Sequence, residues 1–172
     1  MSNDRDRLKE LLKTRSLKTG DFVLASGRRS KYYFDSKLTT LTSEGAHATA
    51  KCFLEIIRKE KIHADAIGGM TLGADPIVSA VAALSHIEGP ALDAFIVRKE
   101  PKGHGTMRWI EGPVTPGQKV IMVDDVVTTG GSTLKAIEKA QEFGLEVVAV
   151  IALLDREEGG TEALSAKFPF YP

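Results

Sequence analysis

Two adjacent carboxylates, Asp124 and Asp125, follow the unbroken apolar run from Val120 to Val123. An apolar run without polar alternation predicts a strand that is covered on both faces, which is typical of a parallel sheet flanked by helices. Ligands of such sheets bind at the carboxyl ends of the strands. The two carboxylates are therefore predicted to meet a ligand, and the alternative is that they only end the strand.

The stretch after the two acids is suited to a phosphate group. It contains two valines, four hydroxyl side chains and two glycines: Val126, Val127, Thr128, Thr129, Gly130, Gly131, Ser132 and Thr133. A helical pattern begins at Leu134, so unpaired first-turn N–H groups would join the glycines and hydroxyls around an anion. Carboxylates repel phosphate, so the acids must face another part of the same ligand, such as sugar hydroxyls or a metal ion. A phosphorylated ribose fits both halves, whereas the structural alternative is a turn that only caps the helix.

Two common nucleotide-binding motifs are absent. No Lys-Ser or Lys-Thr pair follows a G-x-x-x-x-G spacing, and no G-x-G-x-x-G fingerprint occurs. This excludes the ATPase and dinucleotide-binding interpretations.

Composition limits the remaining classes of protein. The chain has 172 residues, 42% of them hydrophobic, which predicts one domain with a sizeable core. Its 23 basic and 23 acidic side chains balance, so no nucleic-acid or membrane partner is expected. The single cysteine, Cys52, excludes an internal disulfide, and no apolar stretch reaches the roughly 18 residues of a membrane span. The charged N-terminus lacks the apolar region of a signal peptide, and a cytoplasmic location is expected.

Alternating strand and helix patterns predict an α/β fold with a parallel sheet of about five strands flanked by helices. A short amphipathic helix near the N-terminus and a hairpin between Thr19 and Leu38 predict a small hood over residues 1–40. The core of this single domain is expected over residues 42–172, beginning with a long helix capped by Thr42 or Ser43. Gly144 is expected to end the helix that follows the phosphate turn.

Two further loops follow strand ends on the same side of the predicted sheet. The first, Thr71-Leu72-Gly73, is either a tight connection or a second anion-binding loop. The second runs from Arg98 to Gly112 and carries basic side chains and glycines, so it is either a solvated hairpin or a lid that closes over a polyanion.

Arg156 follows the last long strand and could meet an anionic group there, or it could be an ordinary surface arginine. The aromatic pair Tyr33-Phe34 in the hairpin is interpreted as packing, with stacking on a planar base as the alternative.

Four motifs in order resemble the orotate phosphoribosyltransferases, a type I phosphoribosyltransferase family. The hydrophobic run with Asp-Asp and Thr-Thr-Gly-Gly-Ser is similar to the signature of the type I enzymes. The other three are the lid run from Arg98 to Gly105, the run from Asp155 to Gly160, and the run from Leu24 to Phe34. The resemblance covers nearly the whole chain.

The resemblance implies transfer of the phosphoribosyl group of phosphoribosyl pyrophosphate (PRPP) to orotate in de novo pyrimidine synthesis. It also implies Mg²⁺ bound mainly through PRPP, with no firm protein ligands, and a homodimer whose lids reach the neighbouring site. Lys102, Asp124 and Asp125 are implied as catalytic residues. The implied PRPP-binding residues are Thr71, Leu72, Gly73, Arg98, Lys99, Lys102, His104, Asp124, Asp125, Val126, Val127, Thr128, Thr129, Gly130, Gly131 and Ser132. The implied orotate-binding residues are Tyr33, Phe34, Thr128 and Arg156.

The chain departs from the family pattern at Ala25, where many bacterial members have a lysine, and at Gly103, where an acid is common. We expect these differences to affect lid closure and rate more than the type of reaction. Two alternatives are a phosphoribosyltransferase for another base and a regulator of the same fold that does not turn over substrate.

Overall fold

The computed structural model describes residues 3–23, 29–101 and 108–172. The elements in chain order are α1 (Asn3–Leu11), a π-helical turn (Leu12–Ser16), β1 (Leu17–Val23), β2 (Arg29–Phe34), α2 (Lys37–Thr40), α3 (Ser43–Lys59), β3 (Ala66–Met70), α4 (Asp75–Glu88), β4 (Asp93–Val97), β5 (Ile110–Glu111), β6 (Lys119–Val127), α5 (Gly131–Glu142), β7 (Glu146–Asp155), α6 (Gly160–Ser165) and β8 (Phe170–Tyr171). The predicted residues Ala25, Lys102, Gly103 and His104 lie outside the described ranges.

The main sheet confirms the predicted α/β class. In the described chain its strands have the order β5-β4-β3-β6-β7-β8, and all are parallel except β5, which pairs antiparallel with β4. The two residues of β5 were not predicted, because a two-residue strand has no periodicity to recognise. They bring the end of the Arg98 to Gly112 loop back alongside the strand that precedes it.

The run from Val120 to Val123 shows that the sheet lies between two layers of helices. Val120 and Met122 point into a cluster with α5, whereas Ile121 and Val123 point into a cluster with α3 and α4. All four side chains are at most 2% exposed. Burial on both faces accounts for the absence of polar alternation, and each such side chain contributes about 1.5–3 kcal/mol.

Local signals at the helix ends are confirmed. The Thr42 hydroxyl accepts a hydrogen bond from the Gly45 N–H at 3.1 Å and caps α3. Gly144 follows α5 with a φ of +98°, the left-handed conformation that glycine adopts without steric cost. In the described part of the chain, no helix is long and apolar enough to cross a membrane.

The N-terminal region forms the predicted hairpin, since β1 and β2 pair antiparallel in a separate two-stranded sheet. Helix α1 and the π-helical turn after it pack on α3 through Leu8, Leu12 and Ala48. Buried hydrogen bonds tie the end of α1 and the π-helical turn to α2, including one of 2.7 Å between the hydroxyls of Ser16 and Thr39. The hood is therefore attached to the core through α1 and the π-helical turn, whereas Tyr33 of its hairpin is 43% exposed.

Candidate active site

The carboxyl ends of β3, β4, β6 and β7 form one edge of the sheet, and most predicted site residues in the described ranges lie at or directly after these ends. The exceptions among them are the hood aromatics. Strand β6 continues through both acids to Val127, so Asp124 and Asp125 belong to the strand and not to the turn after it. Their hydrogen bonds run to different elements, because successive residues of a strand point to opposite sides.

Asp124 faces the start of α5. Its Oδ2 accepts a hydrogen bond from the Thr133 hydroxyl and a longer one, 3.4 Å, from Ser132. Burial raises the pKa of Asp124 to about 6; the charge of Asp125 adds to this rise, whereas the Thr133 hydrogen bond opposes it. A carboxyl group with this pKa changes charge just below neutral pH.

Asp125 faces the hood and the loop after β3. Its Oδ2 accepts a hydrogen bond from the Ser36 hydroxyl, which precedes α2. A Cβ built on Gly73 would lie 2.2 Å from Asp125 Oδ1, so the carboxylate occupies the space that a side chain would need. Ser36 was not predicted as a site residue, and nothing in its local sequence distinguishes it from any other serine.

The turn between β6 and α5 presents an exposed polar surface. Thr129, Gly131 and Ser132 are exposed, and Gly130 adopts a φ of +78° immediately before the helix. The first N–H groups of an α-helix have no intrahelical partner, so a helix that starts here can bind an anion. Val127 does not share this surface, because its side chain is 1% exposed and packs in the core.

Gly160 supports this turn from behind. A Cβ built on it would lie 2.3 Å from Val127 Cγ1 and 2.6 Å from the Thr128 carbonyl oxygen. Only a residue without a side chain fits here, and sequence reasoning missed this role of the second glycine in the run from Asp155 to Gly160.

The loop after β3 includes a cis peptide bond between Thr71 and Leu72. The Thr71 N–H donates to the Val97 carbonyl oxygen at 2.9 Å, and its hydroxyl donates to Asp75 at 3.0 Å. Leu72 is 67% exposed. The Thr71 N–H is thus occupied by the sheet, and the loop lies against Asp125 through Gly73.

The base of the predicted lid is a short hairpin. The Arg98 N–H donates to the Trp109 carbonyl oxygen at 2.8 Å, and the Arg98 guanidinium pairs with Glu111 at 3.3 Å. The Trp109 ring lies under the ammonium groups of Lys139 and Lys135 of α5, at 5.1 and 5.9 Å. Trp109 therefore anchors the end of the loop to α5.

Arg156 lies at the end of β7 against the hood. Its guanidinium stacks on the Tyr32 ring at 5.0 Å and contacts the Tyr32 hydroxyl at 3.3 Å and Glu158 at 3.0 Å. Its Nε is buried without a hydrogen-bond partner in the described residues. Arg156, Tyr32 and Phe34 line a cavity of about 600 Å³ whose lining does not include Tyr33. The aromatic partner of Arg156 is thus Tyr32, which we did not predict, because strand alternation separates it from Tyr33.

Comparison with known proteins adds to this geometry. Residues 37–167 match the family model of the phosphoribosyl transferase domain. The orotate phosphoribosyltransferase of Aquifex aeolicus (strain VF5) is 46% identical over 172 residues, covering 98% of this chain and 93% of the relative. The chain belongs to the orotate phosphoribosyltransferase family.

Solved structures agree with this membership. The orotate phosphoribosyltransferase of Mycobacterium tuberculosis H37Rv, in complex with Fe(III) dicitrate, superposes with a TM-score of 0.86 at 38% identity, covering 98% of this chain and 94% of that one. The same enzyme in complex with PRPP superposes with a TM-score of 0.82 at 35% identity, covering 98% and 93%. The family is one of phosphoribosyltransferase enzymes of pyrimidine biosynthesis, as the motifs implied.

Proposed function

We propose that this orotate phosphoribosyltransferase transfers the phosphoribosyl group of PRPP to orotate, giving orotidine 5′-monophosphate and pyrophosphate, at the edge formed by β3, β6 and β7. One observation carries the proposal. A carboxylate pair and an exposed hydroxyl-rich turn at a helix start lie next to each other at the end of β6. The carboxylates can accept hydrogen bonds from ribose hydroxyls, and the turn can bind the 5′-phosphate, so the two together fit a phosphorylated ribose.

The 5′-phosphate binds the turn from Thr128 to Ser132, where hydroxyls, glycine backbone and first-turn N–H groups of α5 converge. Gly160 keeps this turn in place by close packing from behind. The sugar hydroxyls then face Asp124 and Asp125, which are acceptors in their ionised form. Above a pH of about 6 the Asp124 carboxyl is ionised and can accept from these hydroxyls.

Transfer breaks the bond between the anomeric carbon and pyrophosphate, which builds positive charge on the ribose and negative charge on the leaving group. Groups that stabilise both charges lower the barrier. Asp124 and Asp125 lie on the ribose side, and Arg98, Lys99 and the predicted residues Lys102 and His104 supply cations for pyrophosphate. The loop from Thr71 to Gly73 approaches the same leaving group from β3.

Orotate carries a carboxylate, and Arg156 is a cation that lines the cavity at the end of β7. The Arg156 guanidinium lines this cavity, and a guanidinium can bind a carboxylate through two parallel hydrogen bonds. Phe34 lines the same cavity, Thr128 lies on the next strand end, and Tyr33 remains a predicted contact from the hood. A planar ring with one carboxylate fits this combination of aromatic and cationic groups.

Magnesium is part of the proposal. In the described ranges, no group of three or more possible metal-ligating side chains is found. Mg²⁺ commonly binds through one or two carboxylates together with substrate phosphates and water. Asp124 and Asp125 fit that role as ligands for an ion held mainly by PRPP, and the ion would neutralise charge on the pyrophosphate.

We also propose a homodimer in which the lid residues Arg98 and Lys102 serve the neighbouring site. Exposed aliphatic side chains next to the site support this assembly. Leu38 and Leu41 of the α2 region are 44% and 69% exposed, and Leu72 is 67% exposed. Exposed apolar groups of this kind often mark protein interfaces. We place the enzyme in the cytoplasm, because a sugar with several phosphates does not cross a membrane unaided.

The test is the loss of orotate absorbance in the presence of PRPP and Mg²⁺. We expect turnover by the wild type, a collapse of kcat in Lys102→Ala, and a raised KM for orotate in Arg156→Ala. The matched control is Lys59→Ala, whose side chain is 79% exposed at the end of α3. Consumption of another base instead of orotate would refute the acceptor assignment, and consumption of no base would support a regulator without turnover.

A further inference from the structure

We infer that Ser36 is a positioning residue for Asp125: its hydroxyl holds the Asp125 carboxylate in the orientation that binds the donor sugar. This inference rests on the proposed function, since it assumes that Asp125 contacts PRPP. It links the hood, from which Ser36 comes, to the sugar site at the end of β6.

Ser36 makes this contact from a buried position and across a long sequence separation. Ser36 is 1% exposed, and its hydroxyl donates to Asp125 Oδ2 from 89 residues away. Hydrogen bonds to charged acceptors are stronger than those between neutral groups. The end of the hood hairpin is therefore attached directly to the Asp125 carboxylate.

Ser36 does not use its hydroxyl to cap α2. It precedes that helix with an αR backbone, and its side chain makes no capping hydrogen bond. The first N–H of α2, that of Lys37, instead donates to the Asp35 carboxylate at 3.1 Å. A structural role in helix capping is thus already filled by Asp35, and the Ser36 hydroxyl serves Asp125.

The opposite oxygen of Asp125 is also confined. A Cβ built on Gly73 would lie 2.2 Å from Oδ1, so the Gly73 backbone packs closely against this oxygen. Close packing at Oδ1 and the hydrogen bond at Oδ2 restrict the orientation of the carboxylate. Gly73 belongs to the loop predicted to meet pyrophosphate. Ser36 therefore acts on a carboxylate that lies between the proposed sugar site and the proposed pyrophosphate site.

The positive charge near Asp125 comes from Lys37 and does not depend on the Ser36 hydroxyl. The Lys37 ammonium pairs with Asp35 at 2.7 Å, and the Asp35 hydrogen bond, with a smaller contribution from the charge of Asp125, raises the pKa of Lys37. Removal of the Ser36 hydroxyl leaves this ammonium in place. A change in Ser36 therefore alters the orientation of Asp125 without removing its nearby countercharge.

The experiment compares PRPP binding by Ser36→Ala and the wild type, measured by calorimetry with Mg²⁺ present, together with kcat and KM. We expect the Kd and KM for PRPP to rise about tenfold in Ser36→Ala, because a hydrogen bond to a charged group is worth about 1.5 kcal/mol or more. The KM for orotate should change less than about twofold.

A double-mutant cycle separates positioning from general stability. In an Asp125→Asn background, Ser36→Ala should weaken PRPP binding by less than about twofold, since the partner carboxylate is already altered. Equal losses in both backgrounds would overturn the inference. The matched control is Ser16→Ala, which removes an equally buried hydroxyl that bonds to Thr39 and should lower Tm without changing PRPP binding.

Ser36→Cys serves if the alanine variant does not fold, because the thiol fills a similar volume but is a weak donor. Wild-type PRPP affinity in a folded Ser36→Cys or Ser36→Ala protein would overturn the inference. Failure of the wild type itself to bind PRPP would refute the proposed function instead, so the two failures are distinguishable.

Discussion

Replacement of Asp124 by asparagine should stabilise the protein at neutral pH while it removes activity. Burial places the pKa of Asp124 at about 6, against an ordinary value of 3.8. Each pKa unit corresponds to about 1.4 kcal/mol, so ionisation of this buried group costs roughly 3 kcal/mol of folding free energy. Asparagine keeps an oxygen that can accept from Thr133 but carries no charge, so this cost disappears.

The direction of the pH dependence follows from the raised pKa. Because the native state binds a proton more tightly than the unfolded state, the stability from Asp124 is present below pH 3.8 and is lost as the pH rises through about 6. Between about pH 8 and about pH 5, the wild type should therefore gain about 1.4 kcal/mol relative to Asp124→Asn. Above about pH 7, the difference in unfolding free energy between the two proteins should no longer change with pH.

The measurement is urea unfolding of both proteins across this pH range, with Asp93→Asn, an exposed carboxylate at the start of β4, as the control. The control should follow the wild-type curve. In the same range, kcat/KM of the wild type should rise with pH as Asp124 ionises. A constant stability difference between wild type and Asp124→Asn from pH 5 to pH 8 would refute the argument from burial.

Three substitutions test other parts of the site and its support. Gly160→Ala should lower the unfolding free energy by about 1–3 kcal/mol and raise the KM for PRPP, because its Cβ would displace Val127 and the Thr128 carbonyl. Urea unfolding measures the free energy, and steady-state kinetics measure the KM. Gly131→Ala should leave stability unchanged, since the nearest atom to its Cβ is 3.8 Å away. It should weaken PRPP binding about tenfold, because the added methyl group would occupy the turn that binds the 5′-phosphate. Thr42→Ala should cost about 1 kcal/mol through loss of the α3 cap and leave kcat and KM at wild-type values. Unchanged PRPP binding in Gly131→Ala would contradict the placement of the phosphate.

The elements of the core could be predicted because their signals are local. The run from Val120 to Val123 is apolar since both of its sides are covered, and this alone predicts a strand between two layers of helices. Thr42 and Gly144 mark helix ends through hydrogen bonding and a left-handed backbone that depend on a few neighbouring residues. The two acids with the turn that follows them are also contiguous, so their chemistry was visible before any fold was known.

The partners of those residues depend on contacts between distant parts of the chain. Ser36 reaches Asp125, and Tyr32 meets Arg156 across 124 residues, because the hood folds against the strand ends. A register shift between Thr19 and Phe22 distorts the hairpin, and sequence patterns do not specify such an irregularity.

The sequence by itself determined the longer strands and helices and the chemical groups at the sheet edge, since these follow from periodicity and from residue type. The tertiary structure alone decided which groups face each other. It also decided the raised pKa of Asp124, because burial and neighbouring charge exist only after distant segments pack together.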